Sequence, residues 1–356
     1  MIKHNQPVRE TQGRLRPGSD VALGWRYGRR LMTVGQGDFQ YELIADWAKL
    51  PTGWDLSQVS PATNSDGNVY LFNRGPRPMI VLSSGGEFLT SWNQASLPSA
   101  HGLHIDRDDN VYVTVMFQHV VCKYDRDGEL LMTLGEWEAP SNPDYRIDPA
   151  KEGAVADPTW MGSAQVTSRM KAEMWGCCGP FTVPTDVAVG PRGEIYCADG
   201  YGNARIHKFS PDGILLRSWG APGSEPGNFQ VPHGIWVHRD GRVFVADREN
   251  DRLQIFDADG DFLTEWTGFS HPCDVFVDPD GIVVVAEGTS WNKNPEGTAP
   301  FIQVRSPEGE LLSQFRSPTG APAHRVWVDS EGSLYVNQNA YALPAGESPI
   351  LKYCRI

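Results

Sequence analysis

A strand-turn-strand unit recurs along this chain at a spacing that few folds can accommodate. Six copies align by eye. The clearest are "PTDVAVGPRGEIYCADGYGNARIHKFSPDGILLRSWG" (184–220) and "PHGIWVHRDGRVFVADRENDRLQIFDADGDFLTEWTG" (232–268). Others begin at 59, 100, 272 and 323. Each unit alternates apolar and polar residues and turns at a Gly-containing D-x-D-G or P-x-G step. It then repeats the pattern and closes near Trp or Phe. Alternation gives each strand one buried face, and glycine supplies the positive φ that tight hairpins need. Four strands in a period of about 40 residues describe a propeller blade.

Six units predict an all-β, six-bladed β-propeller. The last unit stops at Ile356 without an obvious fourth strand. The orphan stretch "YELIADW" (41–47) is expected to supply it and close the ring. Residues 1–40 then form an N-terminal extension and 41–356 the propeller. Between the second and third units lies an insertion, 136–183, with a short helix expected around 166–175. A long insertion in a compact repeat protein can be a lid, an interface or a tolerated loop.

The register of the units singles out one chemistry. At the entrance of each innermost strand stand, in order, Val59, His101, Thr185, His233, Cys273 and His324. Histidine takes every second place. In a six-fold ring, alternate blades are a third of a turn apart, so three imidazoles would converge on the axis. Three protein ligands with a fourth position open is the arrangement expected of a catalytic zinc site. The other six of the nine histidines lack this symmetry and are expected to satisfy local hydrogen bonds.

Loops on the same face should ring that centre. They carry Asn73, Arg74 and Arg77, then Asp199, Tyr201 and Asn203, then Asp247, Arg248 and Glu249, then Asn337 and Asn339. Arg74 is the best candidate to hold a carboxylate or stabilise an oxyanion, because guanidinium stays charged and donates in pairs. Arg248 and Asn337 are further expected substrate contacts. Tyr201 is the expected proton-transfer group. Asp199 and Asp247, in repeated turns, read as structural.

Composition narrows the partners. Lys and Arg total 31 against 44 Asp and Glu, a net charge of −13. Such a surface repels phosphate backbones and anionic lipid, so a small molecule is expected rather than nucleic acid or membrane. The start of the chain has charges but no apolar core, unlike a secretory signal. The six cysteines (122, 177, 178, 197, 273, 354) have no metal-ligand spacing, and a reducing cytoplasm is the expected compartment.

These blades resemble the NHL-repeat propeller of peptidyl-α-hydroxyglycine α-amidating lyase. The likeness spans roughly 59–135 and 184–356 and rests on "VPTDVAVGPRGEIYCADGYGNARIHKFSPDG", "VPHGIWVHRDGRVFVADRENDRLQIF" and "LFNRG". It implies a zinc enzyme that splits the C–N bond of an N-acyl-α-hydroxyglycine into a primary amide and glyoxylate. The implied zinc ligands are His101, His233 and His324, with Arg74 and Tyr201 in the active site; another divalent ion could serve. The family's methionine two residues before its last histidine is Pro322 here. Its calcium-holding aspartate directly after that histidine is Arg325, so a structural calcium is not expected. Its disulfide positions fall on Thr182 with Gly202 and on Phe244 with Ile255. The implied activity is therefore that of a zinc-dependent lyase on a small carbinolamide-type substrate. A metal-dependent hydrolase or hydratase on the same tripod, and a non-catalytic NHL protein-binding scaffold, remain as alternatives.

Overall fold

A computed structural model describes residues 32–92, 97–141, 180–288, 302–344 and 346–356. Residues 142–179, which hold most of the insertion, its expected helix, Cys177 and Cys178, lie outside the described residues. Any role as a lid lies outside them too.

Six antiparallel sheets make up the propeller. Blade 4 is representative, with strands Pro232–Val237, Val243–Asp247, Arg252–Phe256 and Phe262–Trp266 in sequence order. The innermost strands of the other blades are Val59–Thr63, Ala100–Ile105, Asp186–Val189, Pro272–Val277 and Ala323–Val328. Each adjoins the next, and the last adjoins the first, so the six form a closed ring. Burial falls outward along each blade: Pro232–Val237 is almost wholly buried and Phe262–Trp266 mostly exposed.

The turn glycines do more than relax the backbone. Gly260 has φ +84°, and a Cβ there would sit 2.6 Å from the ring of Trp219 on the preceding blade. Gly128 meets Trp92, and Gly309 meets Trp266, in the same way. The Trp that ends one blade thus seats on the turn glycine of the next. This explains why fourth strands end in an aromatic and why the D-x-D-G turns recur. Removing such a tryptophan typically costs about 3–5 kcal/mol.

Closure follows the expectation in kind and differs by a few residues. Strand Phe39–Ile44 pairs antiparallel with Ile350–Arg355, Tyr41 facing Arg355 and Ile44 facing Lys352. Met32–Gln36 adds a fifth strand outside it. Pairing therefore begins at Met32, ahead of the boundary expected at residue 41. Trp47 does not continue the strand; it packs edge-on to Tyr335, with ring centroids 5.2 Å apart.

One departure from regular pairing matters for function. Strict alternation would turn His233 and Gly234 to opposite faces. Instead the pairing slips between Pro232 and Gly234, between Ala100 and Leu103, between Pro272 and Asp274, and between Ala323 and Arg325. His101, His233, Cys273 and His324 occupy these bulges. A bulge bends its strand and re-aims a side chain, and here it lets two consecutive residues serve the axis.

Candidate metal centre

His101, His233 and His324 meet at the axis with one ligating atom from each within 4.8 Å of the others. Their ring centroids are 4.9–5.3 Å apart. Relative exposures are 2%, 0% and 9%. The blade register thus brings the three predicted ligands to one point.

Hydrogen bonds orient two of the rings. His101 Nδ1 lies 2.5 Å from the carbonyl of Thr185, and His233 Nδ1 lies 2.6 Å from that of Cys273. A carbonyl only accepts, so His233 Nδ1 carries the proton and its Nε2 keeps the lone pair; His101 Nδ1 also lies 2.7 Å from Arg325 Nη2, which only donates, so that ring is held between an acceptor and a donor. The partners occupy the histidine's own register position on the following blade. A metal-ligating histidine needs this arrangement: one nitrogen anchored, the other free to bind. Burial first, and then the charges of Arg325 and Arg74, hold the His101 and His324 pKa values well below the ordinary value; Arg248 adds to burial at His233. Neutral, oriented and desolvated imidazoles fit a divalent ion.

That depression has a testable cost. Below about pH 6.5 the unfolded chain protonates these three rings while the folded chain does not, so stability falls as pH falls. Each ring contributes a slope of about 1.4 kcal/mol per pH unit. Metal-free protein is therefore expected to lose several degrees of melting temperature between about pH 6.5 and 5.5. A flat melting profile over that range would contradict buried neutral rings.

Tyr201 stands beside the tripod. Its hydroxyl is 2.8 Å from His233 Nε2 and 3.3 Å from His101 Nε2, and Arg248 Nη1 donates to it at 3.2 Å. Arg248 in turn pairs with Glu249 at 3.1 Å, and Glu249 with His271 at 3.3 Å. Burial works against the Glu249 carboxylate, but His271 and Arg248 outweigh it and hold its pKa at about 2. Glu249 is visible in the sequence as a loop residue and His271 as a local one; their linkage to Tyr201 through Arg248 is not.

Arg74 donates from Nε to the carbonyl of Ala100 at 2.8 Å, while its Nη2 is buried without a partner among the described residues. One face of this guanidinium is thus unused next to the histidines whose charge it opposes. Asn337 differs from expectation. Its Nδ2 donates to Pro349 O and its Oδ1 accepts from Gln58, and the side chain is fully buried. Its amide braces the blade 6 loop. Asn73 and Asn339 likewise bond their own loops, and Arg77 stacks on Trp54. Asp199 accepts from the main-chain N–H groups of Thr182 and Val183, and Asp247 from Gln230, Asn250 and Arg252. Both are structural, as their turns implied.

A second layer lies against the first, built from the next residue of each unit: Ser60, Gly102, Asp186, Gly234, Asp274 and Arg325. Asp186 accepts from Ile235 N, and Asp274 from Val326 N, each across to the following blade. A Cβ on Gly102 would meet Asp186 Oδ1 at 2.5 Å, and one on Gly234 would meet Asp274 Cα at 2.7 Å. Hence His-Gly precedes each aspartate blade. Blade 6 precedes Ser60 and carries Arg325, whose Nη1 is 3.0 Å from Asp186 and 3.3 Å from Asp274. Its Nη2 donates to Thr185 O at 2.7 Å. Beyond this layer Trp236, Phe276, Trp327 and His104 pack together, with centroids 4.2–5.8 Å apart.

The residues at the expected disulfide positions are neighbours without sulfur: Phe244 pairs with Ile255, and a Cβ on Gly202 would lie 2.4 Å from Thr182 Cγ2. Cys122, Cys197, Cys273 and Cys354 are free thiols. Among the described residues no helix is long and apolar enough to cross a membrane.

Comparison with known proteins agrees with the blade register. Residues 181–209 and 229–256 match the NHL repeat. Human NHL repeat-containing protein 3 is 30% identical over 332 residues, covering 88% of this chain and 83% of that protein. A probable peptidyl-alpha-hydroxyglycine alpha-amidating lyase of Caenorhabditis elegans is 35% identical over 232 residues, 57% of each. Among solved structures, a gluconolactonase from Xanthomonas campestris superimposes with a TM-score of 0.58 at 14% identity, covering 90% of both chains. That last likeness is one of fold alone. The chain belongs to the NHL-repeat propeller family and is a homologue of both NHL repeat-containing protein 3 and the peptidyl-α-hydroxyglycine α-amidating lyases.

Proposed function

We propose that this protein is a zinc-dependent lyase that cleaves the C–N bond of a small carbinolamide, an N-acyl-α-hydroxyglycine or a close relative. The observation that carries the reading is the buried tripod of neutral imidazoles with a tyrosine hydroxyl and a guanidinium set against it. Bound by His101, His233 and His324, zinc would supply Lewis acidity toward a substrate hydroxyl.

The chain's own groups perform the rest. Acting as the phenolate, with the permanent charge of Arg248 against it, Tyr201 Oη is placed to take the hydroxyl proton. As that oxygen becomes a carbonyl, the C–N bond breaks, and the same proton returns from Tyr201 to the departing nitrogen. The products are an amide and an aldehyde, so protons and electrons balance with no added reactant. Arg74 Nη2, desolvated and unpaired, is the natural partner for a substrate carboxylate. A carboxylate there would also offset the three guanidinium charges of Arg74, Arg248 and Arg325 around the tripod.

The test is metal analysis of purified protein by mass spectrometry, with turnover of N-acyl-α-hydroxyglycines. His233→Ala should lose both metal and activity; a variant with full metal and full turnover would reject the reading. Oxygen-18 water separates the hydrolase alternative, because the lyase step incorporates no label into the amide product. We further propose a reducing compartment. The four free thiols and the two uncrosslinked neighbour pairs support it, and subcellular fractionation tests it.

A further inference from the structure

The three imidazoles are not equivalent. His233 Nδ1 is anchored by the main-chain carbonyl of Cys273 on the following blade, and His101 Nδ1 is held between Thr185 O on the following blade and Arg325 Nη2. For His324 the following blade is the first, across the ring closure, and the residue in register is Val59. There the pattern fails: His324 Nδ1 is buried without a hydrogen-bond partner among the described residues. The innermost strand of blade 1 pairs without a bulge, Val59 with Asn73, as that of blade 3 does from Asp186 onward.

From this we infer that His101 and His233 would be the firm ligands of a divalent ion and that His324 would be the weaker one. The inference rests on the metal reading above. An anchored Nδ1–H fixes the tautomer and the ring plane and raises the basicity of Nε2; His324 has none of these. Such partners typically account for about 10–100-fold in metal affinity.

The experiment uses the full chain loaded with Co²⁺, whose visible absorption reports coordination, and measures affinity by competition with a chelator. His324→Ala is expected to retain Co²⁺ with a loss about 10–100-fold smaller than that of His101→Ala or His233→Ala. Equal losses in the three variants, or the largest loss in His324→Ala, would overturn the inference. Nitrogen-15 spectra of the histidine rings in the metal-free wild type provide a readout that needs no variant to fold. The His233 ring should be fixed with the proton on Nδ1, and the His324 ring should exchange between tautomers. Three identical fixed rings would again overturn it. Wild-type protein that takes up neither Co²⁺ nor Zn²⁺ would retire the metal reading itself. Tight wild-type binding with equal variant losses would retire only the present inference.

Discussion

Tyr201→Phe is expected to lower kcat by roughly 10²–10⁴-fold, the usual contribution of a positioned proton-transfer group, while leaving metal content intact. The substitution removes one oxygen. That oxygen is the point where His233 Nε2 at 2.8 Å, His101 Nε2 at 3.3 Å and Arg248 Nη1 at 3.2 Å come together. The phenylalanine ring still fills the space, so the imidazoles keep their carbonyl anchors on Thr185 and Cys273. KM should move much less than kcat, because Arg74 still offers its guanidinium. Steady-state kinetics beside metal analysis would check this. Turnover within a few-fold of wild type would remove Tyr201 from the chemistry and shift proton transfer to solvent.

The second large effect is on stability. Arg325→Met should destabilise the fold by about 3–5 kcal/mol near neutral pH, the cost of breaking a buried ion pair by removing one partner. Asp186 and Asp274 are buried, and Arg325 is the cation that both face. Burial raises both carboxyl groups above the ordinary range, and the guanidinium counteracts it. Without it they rise further, so the folded variant holds protons that the unfolded chain has released above about pH 4. The deficit should therefore shrink as pH falls from about 7 toward 5. Denaturant midpoints at both values measure this, and the triple variant, Arg325→Met with Asp186→Asn and Asp274→Asn, should recover much of the loss. An unchanged midpoint for the single variant would show that the second layer tolerates unpaired carboxylates.

The repeat makes the architecture legible because period, turn glycine and terminal aromatic all report the same packing. Trp219 on Gly260 is that agreement in atoms. The tripod is legible for a related reason: equivalent positions of a ring face its axis, so spacing alone locates His101, His233 and His324. What spacing cannot carry is side-chain direction where the chain leaves its period. Asn337 ends a strand at the expected height, yet its amide turns into its own loop to bond Pro349 and Gln58. The bulges that aim the histidines are also absent from the alternation pattern, which would send His233 and Gly234 to opposite faces. Arg325 stands out in the sequence as a departure from the family pattern, but its two carboxylate partners come from blades 3 and 5. Only the ring brings residues so distant in sequence together. The chain of Arg248, Glu249 and His271 behind Tyr201 is hidden for the same reason.

The last sheet has a consequence for how the protein is made. Phe39–Ile44 pairs with Met32–Gln36 on one edge and with Ile350–Arg355 on the other, so a hairpin that leaves the ribosome before blade 1 must wait for its second partner until blade 6 has been translated. Until then it is an unfastened ribbon with a free edge, while the blades behind it assemble in order. The histidine tripod waits with it: His324 belongs to the sheet that this late latch completes, so the nascent chain can have five finished blades and only two of the three imidazoles in place.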